Sequence, residues 1–123
     1  MPILVVDDSM LVRFVTIKLL KDLGYSDILE AGTVPEAKSA FMKRVPALVI
    51  CDFHLPDMLT GCDFLRWVRG LPDPAAQNTP FFIVTTERSR DIVEAGISLR
   101  LTSYLLKPLN KEILHERLKK IGL

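Results

Sequence analysis

Five short apolar runs organise this chain: Ile3 to Val6 (ILVV), Ile28 with Leu29, Ala47 to Cys51 (ALVIC), Phe81 to Val84 (FFIV) and Tyr104 to Leu106 (YLL). Each is short enough for a strand, and each is followed by a segment whose apolar residues recur at helical spacing. Runs that are continuously apolar, rather than alternating, belong to strands covered on both faces. Strand and helix in repeated alternation imply a parallel sheet, because each crossover helix must pack back onto it. The pattern therefore predicts an α/β chain of five βα repeats, doubly wound around a five-stranded parallel sheet.

The intervening segments carry their own start and stop signals. In the first, Leu11, Val12, Val15, Leu19 and Leu23 form the predicted inward stripe, with Gly24 as the stop. The second opens with Thr33-Val34-Pro35-Glu36, a capping box with proline in the first turn, and is expected to run to about Arg44 before Pro46. A third helix starts near Gly61 or Cys62, carries Phe64, Leu65 and Val68, and gives way to GLPDPAAQNTP, whose prolines predict an irregular loop. The fourth spans about Ser89 to Leu99. The fifth follows Asn110 as N-cap and turns Ile113, Leu114, Leu118 and Ile121 inward.

Length and charge narrow the class. A chain of 123 residues supports one core, so residues 1–123 are expected to be one domain. A net charge of +1 offers no bulk attraction to nucleic acid or membrane. No apolar run approaches the roughly 20 residues of a membrane span, and no signal-peptide pattern is present, so a cytoplasmic location is expected. Cys51 and Cys62 lack the CxxC spacing of a zinc site, and Cys51 reads as a small core residue. Trp67 reads as a packing residue and His115 as a surface one; neither is assigned chemistry.

In open parallel sheets, ligands sit beyond the carboxyl ends of the strands. The residues there are Asp7 and Asp8 after the first strand, Asp52 after the third, Thr85 and Thr86 after the fourth, and Lys107-Pro108 after the fifth. Taken singly, an Asp in such a place is a helix cap or a turn former. Taken together, carboxylates crowded at a partly buried site raise one another's pKa unless a cation neutralises them. A hard divalent ion held by carboxylate oxygens answers that, and Mg²⁺ suits it best. With a lysine amine and a threonine hydroxyl added, the set can clamp a phosphoryl group, with Asp52 as the candidate nucleophile.

These residues bring the chain close to a known family. It resembles the receiver domain of bacterial two-component response regulators, and is similar to the single-domain chemotaxis type. The markers are Asp7-Asp8, Asp52 followed by Leu55-Pro56, Thr85 closing the fourth strand, and Tyr104 with Lys107-Pro108 around the fifth. The resemblance implies a flavodoxin-like fold with strand order 2-1-3-4-5. It implies that Asp52 accepts a phosphoryl group from a sensor histidine kinase or phosphotransfer protein. Asp8, Asp52 and the His54 backbone carbonyl would ligate Mg²⁺, with Asp7 acting through water. Thr85 and Tyr104 would be switch residues, Lys107 would pair with a phosphoryl oxygen, and the peptide bond before Pro108 would be cis. Phosphorylation would then shift a surface formed by the fourth helix, fifth strand and fifth helix, to be read by a downstream protein or output domain. The family's pattern involves neither direct nucleic-acid contact by this domain nor a membrane. The domain would catalyse only its own phosphorylation and dephosphorylation.

Two departures stand out. The family commonly has glycine eight positions after the phosphoacceptor, whereas Gly61 arrives one residue late, predicting a longer loop over the site. The small residues that usually end the fourth helix are replaced by Leu99-Arg100-Leu101, predicting an early or irregular end. His54 and Glu87, two positions beyond Asp52 and Thr85, are expected to tune hydrolysis. Three other functions compete, one of them a flavodoxin-like cofactor binder, whose phosphate Asp7 and Asp8 would repel. A haloacid-dehalogenase-like phosphohydrolase would need an acid where Ser9 stands, and a receiver-like binding module that is never phosphorylated would not need the full set.

Overall fold

The computed structural model describes residues 1–123. In chain order the elements are β1 (Ile3–Val6), α1 (Met10–Asp22), β2 (Ile28–Ala31), α2 (Val34–Lys43), β3 (Leu48–Asp52), α3 (Gly61–Arg69), α4 (Pro74–Gln77), β4 (Phe81–Thr85), α5 (Arg90–Ser98), β5 (Ser103–Leu106) and α6 (Lys111–Lys120). The five strands pair in parallel in the order β2-β1-β3-β4-β5. β1, β3 and β4 are buried along their whole length, the physical reason their sequences are continuously apolar.

Side chains alternate across the sheet and divide the core in two. Leu4, Val6, Val49, Cys51, Phe81 and Ile83 pack with Phe41 of α2 and Phe64, Leu65 and Val68 of α3. Ile3, Val5, Leu48, Ile50, Phe82 and Val84 pack on the opposite face with Leu20 of α1 and Leu114 and Leu118 of α6. No helix is long and apolar enough to cross a membrane.

Three sequence expectations need correction. On α1 the buried residues are Thr16 and Leu20, while Leu11 and Val15 on the predicted stripe stay exposed, because they line an open cleft rather than close-packed core. Ile113 is likewise exposed, and Leu114 and Leu118 carry the packing of α6. The segment GLPDPAAQNTP is not wholly irregular: Asp73 accepts from the Ala75 N–H and starts the one-turn helix α4, with Pro74 in its first turn. Proline breaks a helix interior but suits a helix start, where its missing N–H has no partner to lose.

The end of α5 is regular, although its sequence is unusual. The Leu101 N–H donates to the Gly96 carbonyl at 2.8 Å and the Arg100 N–H to the Ile97 carbonyl at 3.0 Å, the paired bonds of a Schellman cap. Arg100 holds the left-handed position, φ 58°, that Gly24 takes after α1 and Gly122 after α6. Leu101 packs so closely on Gly96 that a Cβ there would lie 2.7 Å from its Cδ2. The Arg69 guanidinium secures the turn, donating to the Leu99 and Arg100 carbonyls at 3.0 Å each and to those of Gln77 and Thr79 at 2.9 and 2.8 Å. Burial holds this guanidinium below its ordinary pKa, with the nearby Arg100 charge adding to the effect.

Candidate functional site

The register of the sheet brings its acids together. Val6 is paired with Cys51, so Asp7 directly after β1 and Asp52 at the end of β3 emerge side by side. With Asp8 they form a cluster whose carboxylate oxygens lie within 4.8 Å of one another. Asp7 and Asp52 are buried and Asp8 is exposed. Such an all-oxygen donor set could hold a hard divalent ion. The Lys107 amine lies 3.1 Å from Asp7 Oδ2 and 3.1 Å from Asp52 Oδ1.

The electrostatics follow from this crowding. Burial, then the neighbouring Asp7 charge, raises the Asp52 carboxyl above its ordinary pKa, while Lys107 opposes the rise. Burial pushes the Lys107 amine downward, but the Asp52 and Asp7 carboxylates outweigh it and hold the amine above its usual value. Local bonds fix the acids in place. The Ser9 N–H donates to Asp7 Oδ1 at 2.9 Å, and Arg13 donates to the Asp7 carbonyl at 2.6 Å. Ser9 itself caps α1 by accepting from the Val12 N–H.

A second set runs along the same edge. Thr85 is buried at the end of β4, and its hydroxyl accepts from the Glu87 N–H at 3.2 Å. The Tyr104 hydroxyl donates to the Glu87 carbonyl. The Glu87 carboxylate meets His54 Nε2 at 2.5 Å, so the loops that follow β3 and β4 are clasped together. The Lys107–Pro108 peptide is cis, and the Lys107 N–H donates to the Thr85 carbonyl at 2.8 Å. Each residue singled out in the sequence thus reaches one edge of the sheet. Side-chain contact joins Asp7, Asp52 and Lys107, while Thr85, Glu87, His54 and Tyr104 form a second bonded chain, linked to the first by the Lys107 N–H on the Thr85 carbonyl.

Two features of the site had no clear sequence signal. The first is a cleft of about 360 Å³ beneath Asp52, walled by Leu11, Val12 and Val15 of α1 and by Pro108 and Leu109. The second is the loop after β3, which folds into a small hairpin. His54 bridges Thr60 antiparallel, the Leu55 N–H donates to the Leu59 carbonyl, and the Leu59 N–H donates to the Pro56 carbonyl. Asp57 and Met58 sit between at φ 63° and 60°, a type I′ turn. The turn absorbs the extra residue before Gly61. A Cβ at Gly61 would lie 2.8 Å from the Asp52 carbonyl oxygen, so only glycine allows this approach.

Known proteins share this architecture. The chain is 32% identical to the chemotaxis protein CheY of Pseudomonas aeruginosa, an alignment covering 98% of this chain and 95% of that protein. It is 32% identical to chemotaxis protein CheY1 of Helicobacter pylori strain 26695, over 97% of this chain and 94% of the other. The crystallised chemotaxis protein CheY4 of Vibrio cholerae superposes with a TM-score of 0.86 at 31% identity, covering 98% and 97% of the two chains. Residues 3–119 match the response regulator receiver domain. With its strand order, its acid cluster and these relatives in agreement, the chain belongs to the response regulator receiver family.

Proposed function

We infer that residues 1–123 act as one phosphorylation-dependent signalling unit in which Asp52 is the phosphoacceptor. The donor is the phosphohistidine of a sensor histidine kinase or phosphotransfer protein. An Asp52 carboxylate oxygen bonds to phosphorus as the P–N bond breaks, and the bonding pair returns to the histidine nitrogen. Asp7, Asp8 and Asp52, with the His54 carbonyl, would hold Mg²⁺, in keeping with an all-oxygen donor set. When bound, that ion supplies charge neutralisation for the carboxylates and the phosphoryl oxygens. Lys107 leaves its bond to Asp52 to pair with a phosphoryl oxygen, and the buried Thr85 hydroxyl donates to another.

The observation that carries this reading is the Lys107 amine held 3.1 Å from both Asp7 and Asp52. A fixed cation beside a nucleophilic carboxylate suits a group arriving with negative charge. Water later attacks the aspartyl phosphate, releasing inorganic phosphate and restoring the carboxylate, and His54 and Glu87 govern its approach. Thr85 and Tyr104 transmit occupancy to the surface of α5, β5 and α6, where a downstream protein or output domain binds. Ser9 caps α1 where a haloacid-dehalogenase-like hydrolase would place its second acid, which speaks against that alternative.

The deciding experiment incubates the protein with acetyl phosphate and Mg²⁺ and follows intact mass. A phosphoryl adduct that disappears in Asp52→Asn and without metal is expected. No adduct from acetyl phosphate or from phosphorylated kinases, despite Mg²⁺ binding, would instead support a module that works unphosphorylated.

A further inference from the structure

We propose that the hairpin after β3 is a docking element, with Met58 at its tip seated in an apolar recess beside the donor's phosphohistidine. The inference rests on the reading of Asp52 as phosphoacceptor. Met58 is 97% exposed, the most exposed of the large apolar residues in this protein. It is also held at φ 60°, in the left-handed region that a long L side chain occupies only at an energetic penalty. The usual occupants of a type I′ turn are Asn-Gly and Asp-Gly. Asp57 meets that preference at the first central position, and Met58 contradicts it at the second. In the free chain Met58 therefore takes a strained backbone and gains no burial in return. The packing of Leu55 and the close approach of Gly61 hold the turn in the free chain, and burying Met58 against a partner adds the compensation that this exposed tip lacks.

The hairpin is built to hold that side chain in place. Leu55 anchors its near strand in the core, and the His54–Thr60 bridge with the Leu55–Leu59 and Pro56–Leu59 bonds closes it. Thr60 ends it as the cap of α3, receiving the Asp63 N–H while Asp63 receives the Thr60 N–H. An apolar tip on a preorganised turn binds with little further loss of freedom. The position names the partner. The hairpin begins two residues after Asp52 and closes at Thr60, followed by Gly61, whose N–H donates to the Phe53 carbonyl at 2.7 Å and where an added Cβ would fall 2.8 Å from the Asp52 carbonyl oxygen. A protein that brings phosphohistidine to Asp52 must therefore pass alongside the tip. On the other side of the acids, Met10 and Leu11 are exposed at the start of α1, so the pocket has apolar residues on two flanks. A small donor such as acetyl phosphate has no surface to meet any of them.

The test compares two donors on the full chain. The protein donor is a radiolabelled, autophosphorylated histidine kinase, chosen as the one from the same genome that transfers fastest to the wild type. The small donor is acetyl phosphate with Mg²⁺. Met58→Gly fits the left-handed position and should leave the unfolding midpoint unchanged or raised. Its rate of transfer from the kinase should fall by about tenfold or more, as for a buried interface anchor. Acetyl phosphate labelling of Asp52 should stay within about twofold of wild type, since no transition-state contact is removed. Met58→Leu should recover most of the kinase rate. Kinase transfer unchanged in both Met58→Gly and Met58→Glu would overturn the proposal. So would equal losses with both donors, which would mean that the tip shapes the acidic pocket instead. Failure of every kinase to label a wild-type protein that acetyl phosphate does label would also overturn it, while leaving Asp52 as acceptor. Wild type that neither donor labels would remove the reading of Asp52, and this proposal with it.

Discussion

Lys107 Nζ lies 3.1 Å from Asp7 Oδ2, joining residues that are 100 positions apart in the chain. The same amine reaches Asp52, and one cation thus stands against a cluster of three carboxylates. Burial first, and then the negative charge of Asp7 that Lys107 only partly offsets, raises the Asp52 carboxyl above its ordinary pKa. A carboxyl raised in the folded state contributes stability that is fully present below its unfolded pKa and lost as pH rises through the folded one. At neutral pH without metal, the ionised Asp52 is therefore destabilising. Asp52→Asn should raise the midpoint of urea melts run with chelator at pH 7. An unchanged or lowered midpoint would contradict this account of the charge balance.

The clasp between His54 and Glu87 joins the loop that follows Asp52 to the loop that follows Thr85. Opening it should admit water to the aspartyl phosphate. His54→Ala and Glu87→Ala are each expected to hasten dephosphorylation severalfold, and the double variant should do little more than either single one, since both break the same pair. Decay of the phosphoryl adduct, followed by mass after removal of donor, measures it. Wild-type decay in both single variants would exclude a role for the pair.

Far from the acids, Arg44 holds Asp27 through bonds of 3.1 and 2.7 Å. The hydrogen bond to Arg44 is the main reason that the Asp27 carboxyl sits below its ordinary value. A depressed carboxyl contributes stability present above its unfolded pKa and lost as pH falls through the folded one. Arg44→Ala should move the Asp27 titration upward in carboxyl-detected NMR and flatten the acid side of the stability profile. Coincident titration curves in the two proteins would show that the pair does not hold in solution.

Arg100 occupies a left-handed cap position where Gly24 and Gly122 serve the other helices. Arg100→Gly relieves that strain and removes a positive charge that acts on Arg69. A gain of about 1 kcal/mol is expected in chemical denaturation. The Arg100 carbonyl remains available to Arg69, so a loss of stability would mean that the Arg100 side chain makes a contribution of its own.

Gly61 permits the hairpin to close on Asp52. Gly61→Ala drives a Cβ to 2.8 Å from a backbone oxygen, which neither backbone can accommodate without moving. Destabilisation of about 1–3 kcal/mol is expected from the forced shift. Labelling by acetyl phosphate should slow as well, because the strand end that carries Asp52 is displaced. Normal stability together with normal labelling would show that the loop is looser than its geometry implies.

Much of this architecture was legible in the order of residues. The continuously apolar runs specified buried parallel strands, and the carboxylates, threonine and lysine at their ends marked the edge where chemistry gathers, because strand direction places all those ends together. Local capping chemistry likewise marked helix starts at Thr33 and Asn110. Other features depended on contacts between distant segments. How closely α1 packs was decided by how the helix sits over the sheet, and this left Leu11 and Val15 exposed along an open cleft despite their helical spacing. The clasp of His54 and Glu87, the bond from Tyr104 and the four carbonyls gathered by Arg69 join positions that no local rule relates. The hairpin tip is the clearest case. Asp-Met carries little of the usual turn signal, and its left-handed backbone is imposed by Leu55 in the core on one side and Gly61 against Asp52 on the other. Periodicity and chemical type act along the chain and can be read there, whereas the exposure and strain of Met58 arise only when packing fixes both ends of its loop.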